Sequence, residues 1–339
     1  MDDKRADLVL DGAGVKGIGL VGAVATFAEA GYRFPRVAGT SAGAVVGAFL
    51  VALQRAGESS SRLEDIARTL DYGRLRDRGP VGRAAGPLAR VVDGFSLAFD
   101  GGIFEGDYLR SWVAGSLKEL GISTFGDLRL DDPDGALPEA QSYGLVVTAS
   151  DVSRRRLVSL PWDYHLYGID PDEAQVADAV RASASIPFFF EPVTLRARDE
   201  RGAQLVSTLV DGSVQSSFPV AMFDRADGRP PRWPTFGIRL SMRPAGRVHT
   251  HEVRGTVSLA LSLVETMLEA CDAQHIDDPC AQARSVFVDA SGVSPVDFGI
   301  TDEQQEQLLG AGREAAVDFL QHWDFDTYLA VCRGTGAPT

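Results

Sequence analysis

The chain has 339 residues, of which 45% are hydrophobic and 24% charged, the balance of a folded globular protein rather than a disordered one. Its 33 basic and 47 acidic side chains give a formal net charge of −14, which repels phosphate backbones and argues against nucleic acid as a partner. The same charge gives no overall attraction to an anionic membrane, although a local patch could still bind one.

The three cysteines, Cys271, Cys280 and Cys332, are too few and odd in number for a disulfide framework, so we expect thiols in a reducing compartment. Cys271, His275 and Cys280 lack the paired spacing of a zinc site, and no metal is expected there. No signal-peptide region precedes the first predicted strand, and the longest apolar stretch, residues 42–53, is too short to cross a bilayer. These observations predict a cytoplasmic protein.

Strands and helices alternate along the first part of the chain. Residues 8–10 read as a buried strand, which is followed by a glycine-rich turn and an apolar helix over residues 18–30. A second strand at residues 37–38 leads through another glycine-marked turn into a helix that ends near Arg55. This repeated order predicts an α/β fold in which a mixed, mainly parallel sheet is flanked by helices.

The same patterns continue to the end of the chain, where Thr301 and Gln304 form a capping box that opens a last long helix. Further helices are predicted over residues 62–70, 108–120, 174–184, 257–271 and 301–323, and further strands over residues 143–150, 156–160, 204–210, 236–240 and 285–289.

The first glycine-rich turn carries a candidate anion site. Its residues are Gly12, Ala13, Gly14, Val15, Lys16 and Gly17. The spacing is that of a dinucleotide-binding turn, but the second strand does not end in the acidic residue that would hold a ribose. Glycines also let backbone N–H groups converge at a helix N-terminus, where they stabilise an anion such as an oxyanion.

The second turn is a G-x-S-x-G motif, in which Gly39 and Gly43 flank Ser41. A sharp strand-to-helix turn needs little bulk on either side of the serine and lifts its hydroxyl clear of the backbone. Because a strand precedes this motif and an apolar helix follows it, the motif predicts a nucleophilic serine.

A serine hydroxyl needs a neighbouring base to remove its proton. The five histidines do not follow strand ends in glycine-marked turns; they are His165, His249, His251, His275 and His322. The best candidate is Asp211, which ends an apolar strand and is followed at once by Gly212. Burial makes a carboxylate more basic, so a Ser–Asp dyad is a sensible alternative to a triad.

Together these motifs resemble the patatin-like phospholipase family, with a fourth match at residues 181–187. The resemblance implies a Ser41–Asp211 dyad that hydrolyses lipid acyl esters through an acyl-enzyme without a cofactor. It also implies an oxyanion hole made by the N–H groups of Gly14 and Val15. Three positions depart from the family pattern without removing a catalytic atom: Ala13, Ser213 and Ser217.

We therefore expect residues 8–222 to form a lipid acyl hydrolase core and residues 223–339 to form a C-terminal extension packed on the same fold. The expected activity is that of a phospholipase A or lysophospholipase; an acyltransferase and a non-enzymatic lipid-binding module are the alternatives. Residues 79–102, with Phe95, Leu97 and Phe99, are either a lid that also makes a peripheral membrane contact or a loop wrapped on the core. The head group, the acyl chain and the oligomeric state stay open.

Overall fold

A computed structural model describes residues 4–76, 104–132, 137–198, 202–225, 227, 229–240, 262, 266 and 278–333. The predicted lid at residues 79–102 and most of the predicted helix at 257–271 lie outside these ranges. So do three of the five histidines, namely His249, His251 and His275.

Ten strands and eight α-helices lie within the described ranges. The strands are β1 (Lys4–Arg5), β2 (Asp7–Leu10), β3 (Tyr32–Arg33), β4 (Val37–Thr40), β5 (Leu145–Asp151), β6 (Arg156–Leu160), β7 (Val193–Arg198), β8 (Gln204–Asp211), β9 (Thr235–Arg239) and β10 (Ser285–Phe287). The helices are α1 (Ile18–Glu29), α2 (Ala42–Ala56), α3 (Arg62–Arg68), α4 (Asp107–Glu119), α5 (Val176–Ser183), α6 (Pro279–Ala283), α7 (Asp302–His322) and α8 (Phe325–Cys332).

The main sheet has the strand order β10-β9-β2-β4-β5-β8-β7, and β6 pairs separately with β5. Neighbouring strands from β10 to β5 are parallel, whereas β6, β8 and β7 pair antiparallel. The central strands β2, β4 and β9 are buried throughout, and accordingly apolar residues and glycine predominate in them without a polar alternation. The prediction of a mixed, mainly parallel sheet is confirmed.

The strand β5 brings the ends of two other strands together. β4 pairs with the first half of β5 and β8 with its second half, while β6 overlaps both pairings. Consequently β6 occupies one edge of β5, and β4 and β8 share the other. β4 is parallel to β5 and β8 is antiparallel, so their C-terminal ends face each other. Thr40 ends β4 opposite Thr148, and Asp211 ends β8 opposite the next residue, Ala149.

Helices cover the sheet and complete the core. α1 is buried along nearly its whole length, from Ile18 to Phe27, and α7 packs on it through Leu308, Leu309 and Ala316. The predicted capping box at Thr301 is present at the start of α7. The short elements β1, β3, β7, α6 and α8 were not predicted. Among the described helices, none is long and apolar enough to cross a bilayer.

The expectation of three free thiols is wrong. Cys280 in α6 and Cys332 in α8 form a disulfide, with their Cα atoms 5.5 Å apart although 52 residues separate them in sequence. A cysteine count cannot detect this pairing, because only the fold brings the two short helices together. The cysteine content therefore no longer supports a reducing compartment, and Cys280 is not available as a metal ligand.

Candidate active site

Ser41 lies in the turn between β4 and α2 and is almost fully buried, with 3% of its surface exposed. Its backbone has φ 51° and ψ −118°, a conformation that strains any residue with a side chain. The turn is so tight that a Cβ at Gly39 would lie 2.2 Å from the Gly43 carbonyl oxygen. A Cβ at Gly43 would lie 2.4 Å from the carbonyl oxygen of Leu10. The backbone thus has the geometry of a nucleophile elbow.

Asp211 ends β8 and is completely buried at the same edge of β5. Its Oδ1 accepts a hydrogen bond from the Ser213 N–H at 2.8 Å, and its own N–H donates to the Ser185 carbonyl at 2.8 Å. The turn after it requires a glycine, since a Cβ at Gly212 would lie 2.7 Å from the Thr148 carbonyl oxygen. These contacts fix the carboxylate while leaving Oδ2 without a hydrogen bond to any described residue.

Burial raises the pKa of Asp211 from 3.8 to about 6. The Ser41 hydroxyl and the N–H and hydroxyl of Ser213 lower the same pKa, but their effect is smaller than that of burial. The Ser41 hydroxyl is thus close enough to interact with the carboxylate, although it does not complete a hydrogen bond to Oδ2. At neutral pH this carboxyl is ionised yet more basic than an exposed aspartate, which suits a general base.

The glycine-rich loop lies directly beside this pair. A Cβ at Gly12 would be 3.4 Å from the Ser41 Cβ and 2.2 Å from the Ser213 Oγ, and Gly14 has φ 55°. Within the described ranges, the N–H groups of Ala13 and Gly14 have no hydrogen-bond partner. The backbone of this loop therefore has room and donors for an anion next to Ser41.

Other amides of the loop are already occupied. Val15 N–H donates to the Pro295 carbonyl at 3.0 Å, and Gly12 N–H donates to the Ser217 carbonyl at 3.1 Å. This differs from the expectation that Gly14 and Val15 supply the donors, because Val15 can donate to an oxyanion only if Pro295 moves. Sequence offered no signal for Pro295, which lies far along the chain from the loop. Lys16 is half-buried. The N–H and hydroxyl of Ser291 donate to Asp289 and hold its pKa below the usual value, and the charge of Lys16 lowers it further.

The segment at residues 181–187 supports both halves of the site. Ser183 Oγ accepts a hydrogen bond from the Ser41 N–H at 2.7 Å, and the Ser185 carbonyl holds the Asp211 N–H. Arg181 is buried and donates to Ser185 Oγ and to the Glu191 carbonyl, the latter at 2.9 Å. The sequence singled out this segment, but only the structure shows that it connects the elbow to the aspartate.

An apolar cleft of about 90 Å³ starts at Ser41 and runs between α1, α2, α3 and α4. Its walls include Val45, Phe49, Leu63, Leu109 and Trp112, together with Phe190 and Phe298. Ser41 therefore stands where the polar loop meets a nearly hydrocarbon-lined space, which suits a long apolar group next to a reacting carbonyl.

The two described histidines are exposed, and each has Nδ1 against the carbonyl oxygen of a residue three or four positions earlier. His165 Nδ1 is 2.7 Å from the Trp162 carbonyl oxygen, and His322 Nδ1 is 2.7 Å from the Asp318 carbonyl oxygen. Neither lines the cleft at Ser41. Of the described residues, no group of three or more His, Cys, Asp or Glu is arranged to hold a metal.

Comparison with known proteins places the chain in a family. The family model described as patatin-like phospholipase matches residues 8–224, well over half of the chain. The chain therefore belongs to the patatin-like phospholipase family, whose members are lipid acyl hydrolases. The sequence-based identification of the family is confirmed.

One curated relative and two solved structures are similar to most of the chain. The chain is 34% identical over 319 residues to YqhO of Bacillus subtilis (strain 168), described as uncharacterized, covering 94% of this chain and 99% of YqhO. Among solved structures, it is similar to VipD from Legionella pneumophila (15% identity, TM-score 0.46) and to ExoU in the ExoU–SpcU complex of Pseudomonas aeruginosa (18% identity, TM-score 0.46). Those matches cover 95% and 94% of this chain but only 67% of VipD and 51% of ExoU.

Proposed function

We propose that the chain is a serine lipid acyl hydrolase of the phospholipase A or lysophospholipase type, with Ser41 as nucleophile and Asp211 as base. The observation that carries the proposal is the meeting of β4 and β8 on one edge of β5. It brings a strained, glycine-flanked serine and a buried, basic carboxylate together beside the glycine-rich loop. No histidine is needed in this arrangement.

The reaction follows from the positions of these groups. Asp211 removes the proton from Ser41 Oγ, and the oxygen attacks the ester carbonyl carbon to form a tetrahedral oxyanion. The N–H groups of Ala13 and Gly14 stabilise that negative charge. When the intermediate collapses, the carbon–oxygen bond to the alcohol breaks and protonated Asp211 gives its proton to the leaving oxygen. Asp211 then deprotonates a water molecule, whose oxygen attacks the carbonyl carbon of the acyl-enzyme. When this second intermediate collapses, the bond to Ser41 Oγ breaks, Asp211 returns the proton to Oγ and the fatty acid is released.

The apolar cleft supports a lipid as the substrate. An acyl chain lying along Val45, Phe49 and Leu109 would place its ester carbon at Ser41, and each buried CH₂ group contributes about 0.8 kcal/mol to binding. Since the walls offer almost no polar group to recognise a head group, the acyl chain supplies most of the affinity inside the cleft. The polar part of the substrate then stays on the side of the glycine-rich loop.

Variants of the two proposed catalytic residues test the mechanism. Ser41→Ala and Asp211→Asn should each lower kcat/KM on a micellar lysophospholipid and on a soluble short-chain ester by at least about 10³, and the double variant should be no worse because the two residues act as a unit. Ser285→Ala, a buried serine on β10, is the matched control and should keep activity within a few-fold.

The wild-type rate should fall about tenfold per pH unit below pH 6 and level off above it, because only ionised Asp211 is a base.

Other results would contradict the dyad. Activity that survives in folded Asp211→Asn, or a single histidine variant that loses it, would mean that another residue is the base. Transfer of the acyl group to an added alcohol in preference to water would indicate an acyltransferase with the same site. If the wild type binds lipid but hydrolyses it no faster than Ser41→Ala does, the chain is a lipid-binding module.

A further inference from the structure

A second cavity lies at the opposite end of the sheet from Ser41. It has a volume of about 310 Å³, at the lower end of the range for small-molecule sites. Its lining includes four arginines and no acidic residue; they are Arg5, Arg33, Arg55 and Arg129. Every charged residue that lines this cavity is an arginine, which is unexpected in a chain with 47 acidic and 33 basic residues. Such a concentration of guanidinium groups favours a multiply charged anion.

Two of these arginines face each other across a strand pair. β1 and β3 form a parallel ladder in which Arg5 pairs directly with Arg33. This register places both side chains on the same face of the two-residue ladder, beside the cavity that both of them line. Arg5 stacks over the Trp233 ring, and neither Arg5 nor Arg55 forms an ion pair with an acidic residue of the described ranges. Both guanidinium groups can therefore still bind a ligand.

The remaining wall of the cavity is well ordered by its own contacts. Gln54 exchanges two hydrogen bonds with the backbone of Phe34, at 2.9 and 3.0 Å. Arg129 is held by Asp172, with Nε 2.8 Å from Oδ1, and stacks over the Tyr143 ring. Preformed walls of this kind reduce the entropy that a ligand loses on binding.

We propose that this cavity binds a phosphate group of a soluble molecule, with Arg5, Arg33 and Arg55 as its principal ligands. Arginine matches phosphate well because its planar group donates two parallel hydrogen bonds. A soluble source fits the geometry better than a lipid head group. Ser41 caps the start of α2 and Arg55 lies in its last turn, 14 residues later, so the two sites are about 21 Å apart along the helix. A bilayer bound at the cavity would therefore lie far from the proposed nucleophile.

Titration with inorganic pyrophosphate, at constant ionic strength and in phosphate-free buffer, tests the site by calorimetry and by thermal unfolding. The wild type should bind pyrophosphate and its Tm should rise with concentration. Arg33→Gln and Arg55→Gln should each weaken binding about tenfold, since each removes a charge-assisted hydrogen bond. Arg229→Gln, an exposed arginine outside the cavity, is the control and should bind like the wild type.

Arg5→Gln should also weaken pyrophosphate binding about tenfold, for the same reason as the other two variants. Its Tm without ligand, compared with that of the wild type, shows whether the variant is folded. Equal binding by the wild type and the three cavity variants would overturn the site, as would an equal rise in Tm with chloride at matched ionic strength. Arginine-dependent binding to vesicles of phosphatidylcholine and phosphatidic acid in equal amounts, without pyrophosphate binding, would overturn the soluble ligand in favour of a lipid head group. Because no hydrolysis is measured, the result is independent of the proposed catalytic function.

Discussion

Two residues of the candidate site hold conformations or charges that oppose folding. Ser41 has a positive φ that strains a residue with a side chain, typically at a cost of about 1–3 kcal/mol. Asp211 is a fully buried carboxyl whose pKa lies near 6. Such features persist when the surrounding structure imposes them, and here the glycine-flanked turn and the Ser185 carbonyl do so. Both residues therefore cost the fold stability where they stand, as expected of the catalytic pair that we propose.

The free energy of unfolding should therefore increase when the charge of Asp211 is removed. The pKa of Asp211 is raised from 3.8 to about 6 in the folded protein, so its ionisation destabilises the fold as the pH rises above 3.8 and the full effect is reached above 6. Asp211→Asn, which resembles the neutral acid in shape, should add on the order of 1–3 kcal/mol at pH 7.5. Urea unfolding of both proteins at pH 7.5 and pH 4 measures this. A gain that is equally large at pH 4 would rule out the charge as its cause.

At the scale of elements, the glycine-rich loop is restricted by different neighbours at its two ends. A Cβ at Gly12 would meet the Ser213 Oγ, a side-chain atom, at 2.2 Å. A Cβ at Gly14 would meet the Pro295 carbonyl oxygen, a backbone atom, at 2.0 Å, and Gly14 also has φ 55°. Only the first clash can be relieved by changing the neighbouring side chain.

The alanine variants of Gly12 and Gly14 should therefore differ in whether a second substitution restores their activity. Gly12→Ala and Gly14→Ala should each reduce kcat by on the order of 10²–10³, the effect of losing one oxyanion donor. Adding Ser213→Gly to Gly12→Ala should restore most of the lost activity, with Ser213→Gly alone as the reference. Adding Ser213→Gly to Gly14→Ala should restore none of it. Ester hydrolysis by the three single and two double variants decides this. Equal rescue of both glycine variants would mean that Pro295 does not restrict the loop.

The elements that sequence predicted well share a local cause. The turn around Ser41 and the strand before Asp211 can be recognised in the sequence because glycine, serine and aspartate are needed there at fixed positions within a few residues. By contrast, the contact of Pro295 with Val15 and the support of Ser41 by Ser183 join segments more than 100 residues apart. Short pieces such as β1 and β3 carry too few residues for a periodic pattern, and their pairing comes from tertiary context.

At the scale of the whole molecule, the site depends on the complete sheet. The ends of β4 and β8 meet only because β5 pairs with both along one edge. β9 and β10, from beyond residue 222, extend the same sheet next to β2, and Pro295 reaches back to the glycine-rich loop. The C-terminal third of the chain therefore shapes the candidate site as well as the core, which motif spacing within residues 8–222 could not reveal.

The Cys280–Cys332 disulfide links α6 to α8 within that C-terminal third. Asp224 lies beside it and pairs with Arg284 at 2.6 Å and with Arg333 at 2.8 Å, so the same region is also held by charges. Cys280→Ser/Cys332→Ser removes a link across 52 residues, which in the chain-entropy account should lower the free energy of unfolding by about 4 kcal/mol. Activity should stay within a few-fold, because neither α6 nor α8 lines the cleft at Ser41.

Urea unfolding with and without reductant measures the effect, and the double serine variant should not respond to reductant. Alkylation of the unfolded wild type counts the thiols directly: without reductant one of the three cysteines, Cys271, should react, and with reductant all three should. Three reactive thiols in the untreated protein, or identical unfolding curves for wild type and variant, would show that the two cysteines are not linked. In that case the ion pairs of Asp224 with Arg284 and Arg333 would be the stronger link in this region, and Asp224→Asn should then be the more destabilising change.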